Sequence, residues 1–367
     1  MEEKALKVLQ ILEENGYEAY IVGGYVRDKL LSIESNDIDI CTSATPKQIK
    51  EIFKSSQSPN YGSINIIYKN TNFDITTFRR DIKYLDNRLP VKLKYIKTLK
   101  KDLLRRDFTI NTICMNSKGE IIDTLNIMED LNQKVIRTVG NPRYKLKEDC
   151  LRILRAVRFS TILNFEIEPK TRHYLTSYSY LLKKLSFQRK KQELDKIFSS
   201  INQEKGIKLL LELGIDKSLS LPKLKTIVPC RDIIGIWAQL EVDDIYPFTK
   251  NEKDQMNQIR KFLKQDIHNK YNIYKYGLYI STVVYQIKKE DISTLNKVYK
   301  ELPIHSQSDL SVKPLDIASI LQKEPDNYIK NITIDLEKQI LLGNLENEYE
   351  RIKKYILNYY AKESKKS

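Results

Sequence analysis

The sequence predicts an α+β domain followed by an all-helical C-terminal half. Short apolar runs bounded by turn residues recur between positions 19 and 125, and from Asn141-Pro142 onward the apolar period is helical. The chain has 367 residues, which at roughly 100–200 residues per domain gives room for several cores.

The elements follow in order. Residues 2–14 place Ala5, Leu6, Val8, Leu9 and Leu12 at helical spacing and stop at Asn15-Gly16. Ala19–Val22 is a short apolar run before Gly23-Gly24, read as a buried strand, and Asp37–Cys41 is a second strand. Thr45-Pro46-Lys47-Gln48 combines an N-cap, Pro at the first helical position and a capping-box Gln, so a helix starts there. Ile64–Tyr68 and Phe73–Thr77 form a hairpin through Lys69–Asn72. Ile113–Met115 and Glu120–Leu125 form another around Ser117-Lys118-Gly119. Beyond these, Leu146–Ser160, Ser186–Phe198 and Lys205–Leu213 read as helices, and strand signals largely stop. The expected divisions are 1–140, 141–200, 201–300 and 301–367, with Lys362–Ser367 a polar tail.

Composition narrows the function. Lys plus Arg number 63 against 48 Asp plus Glu, a net charge of +15, which favours a polyanionic partner, nucleic acid before an anionic membrane. No apolar run approaches the length of a bilayer span, and Met1-Glu2-Glu3-Lys4 opens an amphipathic segment rather than a secretory or transit signal. The four cysteines are scattered without a C-x-x-C, which fits a reducing cytoplasm rather than a zinc site or disulfide framework. The first of three histidines is His173, so Ser-His or Cys-His catalysis cannot be built in the N-terminal domain.

Five constellations carry chemistry. In Asp37-Ile38-Asp39 strand alternation turns both carboxylates to one face. Two like charges so close call for a cation, and oxygen-only ligands suit Mg²⁺ completed by substrate phosphates. A solvated strand is the plain alternative. Upstream, Gly23-Gly24 lets backbone N–H groups approach phosphate, and Arg27 falls near a helix N-terminus, where a cation is unfavourable unless an anion is bound. A tight turn explains the glycines but not the arginine. Downstream, Asp74 sits between apolar neighbours on a strand, a third carboxylate able to complete a two-metal site and accept a hydroxyl proton. Arg105-Arg106-Asp107-Phe108-Thr109-Ile110-Asn111 offers ribose and phosphate contacts, or is a charged loop before a strand. Finally, Asp149, Arg152, Arg155 and Arg158 recur every three residues, so successive members are helix neighbours. An Asp–Arg pair can match the Watson–Crick edge of a base; an i,i+3 salt bridge on a solvated helix is the alternative.

Taken in order, GGYVRDKLL, NDIDICTSATP, FDITTFRRD, DLLRRDFTINT and EDCLRILRAVRF resemble the class II tRNA nucleotidyltransferases. That family includes the CCA-adding enzymes and bacterial poly(A) polymerases, within the polymerase-β-like nucleotidyltransferase superfamily. The match runs from about residue 16 to 200. The resemblance implies a polymerase-β-like head, then helical neck, body and tail. It implies that Asp37 and Asp39 bind the metal, with Asp74 the third carboxylate in a position that is usually Glu. It also implies that Gly24, Arg27 and Arg106 contact the incoming nucleotide, that Asp149 and Arg152 read CTP or ATP, and that Arg155 and Arg158 are further nucleotide-site arginines. The implied reaction is template-independent addition of CMP and AMP to the 3′ end of tRNA in the cytoplasm, with Mg²⁺ as cofactor. Poly(A) addition, CC-only or A-only addition, and a non-enzymatic RNA-binding protein are the alternatives. The sequence departs from the family pattern in three places. Gln188 stands where the last motif usually has Glu, Ser58–Ser63 lacks a basic His-Gly turn, and Asn87 replaces a common Gly in the Tyr84–Pro90 loop that switches C to A addition. No His-Asp dipeptide occurs, so the phosphohydrolase domain of some relatives is not expected.

Overall fold

The computed structural model describes residues 1–54, 61–85 and 89–360. The tip of the Tyr84–Pro90 loop, the first half of the Ser58–Ser63 segment and the Lys362–Ser367 tail fall outside the described residues. The chain separates into two compact units, Met1–Lys225 and Thr226–Ser367.

The first unit opens with α1 (Glu2–Glu14), which buries Ala5, Val8, Leu9 and Leu12 as its periodicity predicts. Then come β1 (Ala19–Val22), α2 (Gly24–Leu30), β2 (Asp39–Thr42) and α3 (Pro46–Phe53). Helix α3 carries the expected capping box, with Thr45 accepting from the Gln48 N–H. Strands β3 (Ser63–Tyr68) and β4 (Thr71–Thr77) form the first hairpin, and the two-residue strands β7 (Cys114–Met115) and β8 (Ile121–Ile122) the second. Between them β5 (Arg79–Leu85) and β6 (Leu89–Tyr95) pair with each other, followed by α4 (Leu99–Leu103).

Six strands make one mixed sheet in the order β3-β4-β2-β1-β7-β8. Strand β2 runs antiparallel to β1 and parallel to β4, so it is central. Side chains alternate along β4: Phe73, Ile75 and Thr77 are buried while Asn72 and Asp74 are exposed. The second strand is shorter than predicted. It starts at Asp39, which pairs with Val22, and β1 ends there because Gly23 turns the chain away at φ +86°. Asp37 and Ile38 therefore precede the ladder.

Helix α5 (Met128–Asn132) and β9 (Val135–Ile136) follow. The predicted Leu146–Ser160 helix is two helices, α6 (Pro142–Glu148) and α7 (Leu151–Leu163). Asp149 adopts extended angles (φ −139°, ψ 104°) between them, and its Oδ1 accepts from the Leu151 N–H. This overturns the reading of Asp149 as a helix neighbour of Arg152. The solvated-helix alternative fails too, because α7 is buried on nearly every side, Arg152 and Arg158 included. One strand, β10 (Glu166–Ile167), occurs in this helical region and pairs in parallel with β9. Helices α8 (Pro169–Ser177), α9 (Phe187–Phe198), α10 (Gln203–Glu212) and α11 (Ile215–Leu219) complete the unit. Directly after Phe108 comes a single 3₁₀ turn, Thr109–Asn111, and the next strand is β7.

The second unit is helical throughout its described residues: α12 (Ile233–Leu240), α13 (Lys250–Phe262), α14 (Lys270–Lys288), α15 (Ile292–Lys300), α16 (Pro314–Leu321), α17 (Tyr328–Leu341) and α18 (Tyr349–Tyr359). Trp237 is its largest buried side chain, packed against Tyr246 and Phe248. The expected fold class, an α+β head and then a helical C-terminal half, is the one observed.

Candidate active site

A cleft of about 550 Å³ opens in the first unit. Asp37, Asp39, Gly24, Arg27, Arg106, Asp149, Arg152, Arg155 and Arg158 all line it. Residues chosen from four separate motifs thus meet in one place. Asp74 does not line this cleft. It pairs in register with Asp39 on the neighbouring strand, and its Oδ1 accepts from Asn65 Nδ2 at 3.0 Å.

Asp37 and Asp39 flank the buried Ile38, so alternation places both carboxylates on the cleft although only Asp39 is in the ladder. Burial of the surrounding floor, then the charge of Asp37 and more weakly that of Asp74, push the Asp39 carboxyl upward; Arg106 and Arg155 oppose this. Like charges left facing each other fit a divalent cation. Among the described residues no three His, Cys, Asp or Glu side chains enclose a metal by themselves. The three aspartates are therefore not one closed ligand set, and the pair Asp37–Asp39 suits an ion whose shell substrate phosphates complete.

Gly23, not Gly24, is the glycine the backbone requires. Its φ is +86°, and a Cβ there would lie 3.8 Å from Arg106 Nη1 and 4.0 Å from Asp39 Oδ2. Arg27 falls in the last turn of the seven-residue α2, and Asp28 at 2.6 Å balances its charge, so the dipole reasoning from sequence does not hold. Its Nη1 donates to Asn111 Oδ1 at 2.6 Å.

The Arg105–Asn111 segment anchors cations from behind. Fully buried Asp102 accepts from Arg105 Nε at 2.8 Å, from Arg106 Nη2 at 3.2 Å and from the Arg79 N–H at 3.1 Å. Asp107 accepts from Arg155 Nε at 2.7 Å, from Asn111 Nδ2 at 3.1 Å and from the Phe108 N–H at 2.8 Å. Burial disfavours its charge, but Arg155, Asn111 and that N–H together hold Asp107 well below the usual carboxylate range. Asp107 and Asn111 thus hold Arg155 and Arg27 and are engaged by protein groups, rather than presented as free ribose contacts.

A pH-dependent stability loss follows. Asp107 contributes stability above the unfolded carboxylate range, lost as pH falls toward its depressed folded value. Asp107→Asn should cost about 2 kcal/mol at neutral pH. In urea melts the gap to the parent should narrow on acidification below about pH 4. A gap that stays constant with pH would mean the carboxylate charge is not what matters.

Arg152 is held by its own neighbours. Nη1 donates to the Lys145 carbonyl at 2.9 Å and to Glu148 at 3.3 Å, and Nη2 donates to the Arg105 carbonyl at 3.0 Å. Among the described residues these acceptors take three of its five N–H groups, and Nε–H and one on Nη2 are left to face other acceptors. Arg158 Nη1 pairs with Glu193 at 2.9 Å. Sequence reasoning assigned no role to Arg79, Phe159 or Lys196, which also line or border the cleft. Arg79 and Phe159 lay inside quoted motifs; Lys196 had only helical periodicity, which marks a face and not a site.

Carboxylates at the end of a central strand, facing a cleft walled by arginines on a mixed sheet, define a nucleotidyltransferase. Residues 19–137 match the family described as Poly A polymerase head domain, residues 164–226 "Probable RNA and SrmB- binding site of polymerase A", and residues 245–356 tRNA nucleotidyltransferase domain 2. The chain is 33% identical to a CCA-adding enzyme of Ligilactobacillus salivarius over 95% of this chain and 94% of that one. It is 32% identical to one of Anoxybacillus flavithermus over 96% of each. The crystal structure of the Bacillus stearothermophilus CCA-adding enzyme in complex with CTP superposes with TM-score 0.85 at 26% identity, covering 100% of this chain and 99% of that one. The chain belongs to the CCA-adding enzyme family. Enzymes of this family use a divalent metal. Among the described residues no helix is long and apolar enough to cross a membrane.

Proposed function

We propose that this chain adds CMP and AMP to the 3′ end of tRNA from CTP and ATP, releasing pyrophosphate. One observation carries the reading: the carboxylate pair Asp37–Asp39 and the anchored pair Asp149–Arg152 line one cleft. Transfer chemistry and base choice can then act on a single bound nucleotide. Residues 1–140 serve as the transfer head, 141–200 as the neck that reads the base, and 201–300 and 301 onward as body and tail that hold the RNA.

Mg²⁺ is the proposed ion, held by Asp37 and Asp39, where it supplies charge neutralisation at the triphosphate and a lower pKa for the attacking hydroxyl. The arginines bind and orient the phosphates so that the primer oxygen lies in line with the α-phosphorus. Asp74, beside Asp39, is placed to raise the basicity of the site. Asp149 accepts from, and Arg152 donates to, the base edge. The amino group and N3 acceptor of cytosine and the amino group and N1 acceptor of adenine present the same donor–acceptor order. Uracil and guanine present the reverse, which supports selection of CTP and ATP.

The test is transfer from labelled CTP and ATP to tRNA lacking its last three nucleotides, with an unstructured RNA as control. Label on tRNA alone supports the reading; equal A-tailing of both RNAs would favour a poly(A) polymerase. Binding of tRNA should also be steeply salt-dependent, since a protein of charge +15 releases phosphate counterions. With about six phosphate contacts, affinity should fall roughly a thousandfold between about 50 and 200 mM salt, measured by filter binding. A flat profile would contradict a phosphate-gripping surface.

A further inference from the structure

Three guanidiniums surround one aromatic ring. Cζ of Arg158 lies 4.4 Å from the Phe159 centroid, and those of Arg27 and Arg155 each lie 5.2 Å away. All are within the reach of a cation–π contact. Arg155 and Phe159 are i,i+4 neighbours on α7, while Arg27 arrives from α2. The ring is 7% exposed and held edge-on by Phe108 at 5.8 Å and 77°.

Each guanidinium is fastened to a carboxylate of its own: Arg27 to Asp28, Arg155 to Asp107 and Arg158 to Glu193. Those anchors come from three separate elements, and the ring is the partner the three cations share. Gathering like charges this way is unfavourable in itself. Burial, then the charge of Arg155 and more weakly that of Arg27, depress the Arg158 guanidinium, against Glu193. An aliphatic residue of similar bulk would fill the same core space without the ring's negative face to offset that repulsion.

We propose that Phe159 is a positioning residue: its ring face sets the three arginines as one surface for the polyphosphate of the incoming nucleotide and for the pyrophosphate that leaves. The proposal rests on the nucleotidyl-transfer reading, but its test does not depend on turnover. Phosphate groups bind through charge-assisted N–H contacts whose strength depends on placement, so loosening the guanidiniums weakens every phosphate contact and no base contact.

The experiment is calorimetric titration of inorganic pyrophosphate with magnesium into the full-length protein. Phe159→Leu should weaken binding by about tenfold, and Phe159→Tyr should restore it to within about threefold of the parent. KM for CTP and for ATP should rise together by a similar factor, with kcat and the preference for CTP over UTP little changed. Because Phe159→Leu could lose the packing on Phe108, a second variant replaces Phe159 with trifluorophenylalanine, which keeps the ring's shape and removes its negative face. Weakened pyrophosphate binding with unchanged melting temperature is the expected result. Parental affinity in that variant, or no pyrophosphate binding by the parent, would overturn the proposal, whether or not nucleotide is transferred.

Discussion

Asp39→Ala should lower single-turnover CMP incorporation by at least about a thousandfold, because several kcal/mol of transition-state stabilisation depend on the metal it holds. Affinity for tRNA should stay within about threefold, since phosphate contacts dominate RNA binding and a cleft carboxylate makes none. Asp39 is the only one of the three aspartates that both pairs in the central ladder and lines the cleft. Its removal leaves Asp37 without its partner two residues on. Incorporation and filter binding on the same preparation separate chemistry from RNA capture. Incorporation within about tenfold of the parent would sink the assignment of Asp39 as a metal ligand.

The second large effect is on selectivity. Replacing Asp149 and Arg152 together by Ala should reduce the ratio of kcat/KM for CTP over UTP by at least about tenfold, roughly 1.4 kcal/mol of lost discrimination. Arg152 is buried, and its loss leaves the Lys145 and Arg105 carbonyls without this donor, so stability falls as well. The ratio is the right readout because the folded fraction cancels from it. An unchanged ratio with a lowered melting temperature would make the pair purely structural.

Much of the site was legible in the sequence because the chemistry needs short-range patterns. The D-x-D spacing, the diglycine after a strand and the arginines every three residues each fix a local geometry, and their meeting in one cleft is the consequence. The capping box at Thr45 was equally local. Other features depend on contacts across the chain. The break at Asp149 carries no Gly or Pro. Its only signal is an Asp two residues before a new helix start, where a side-chain oxygen can take the Leu151 N–H. That break alters the reading of Asp149, which faces the cleft from an extended residue rather than from a helical stripe. Asp107 looked like a ligand residue and is an anchor, because Arg155 arrives 48 positions later in the chain. The same holds for Asp102, whose burial beneath two arginines cannot be read from its neighbours. Phe159 looked like ordinary helix core until three cations converged on it.

The most direct measurement of CCA addition is the sequence of the product. tRNA lacking its 3′ terminus is incubated with the full-length protein and all four nucleoside triphosphates, and the 3′ ends are sequenced. A protein that reads the base with Asp149 and Arg152 should yield ends closing in CCA and then stop. Homopolymeric A tails, ends that finish at CC, or ends of random composition would contradict it.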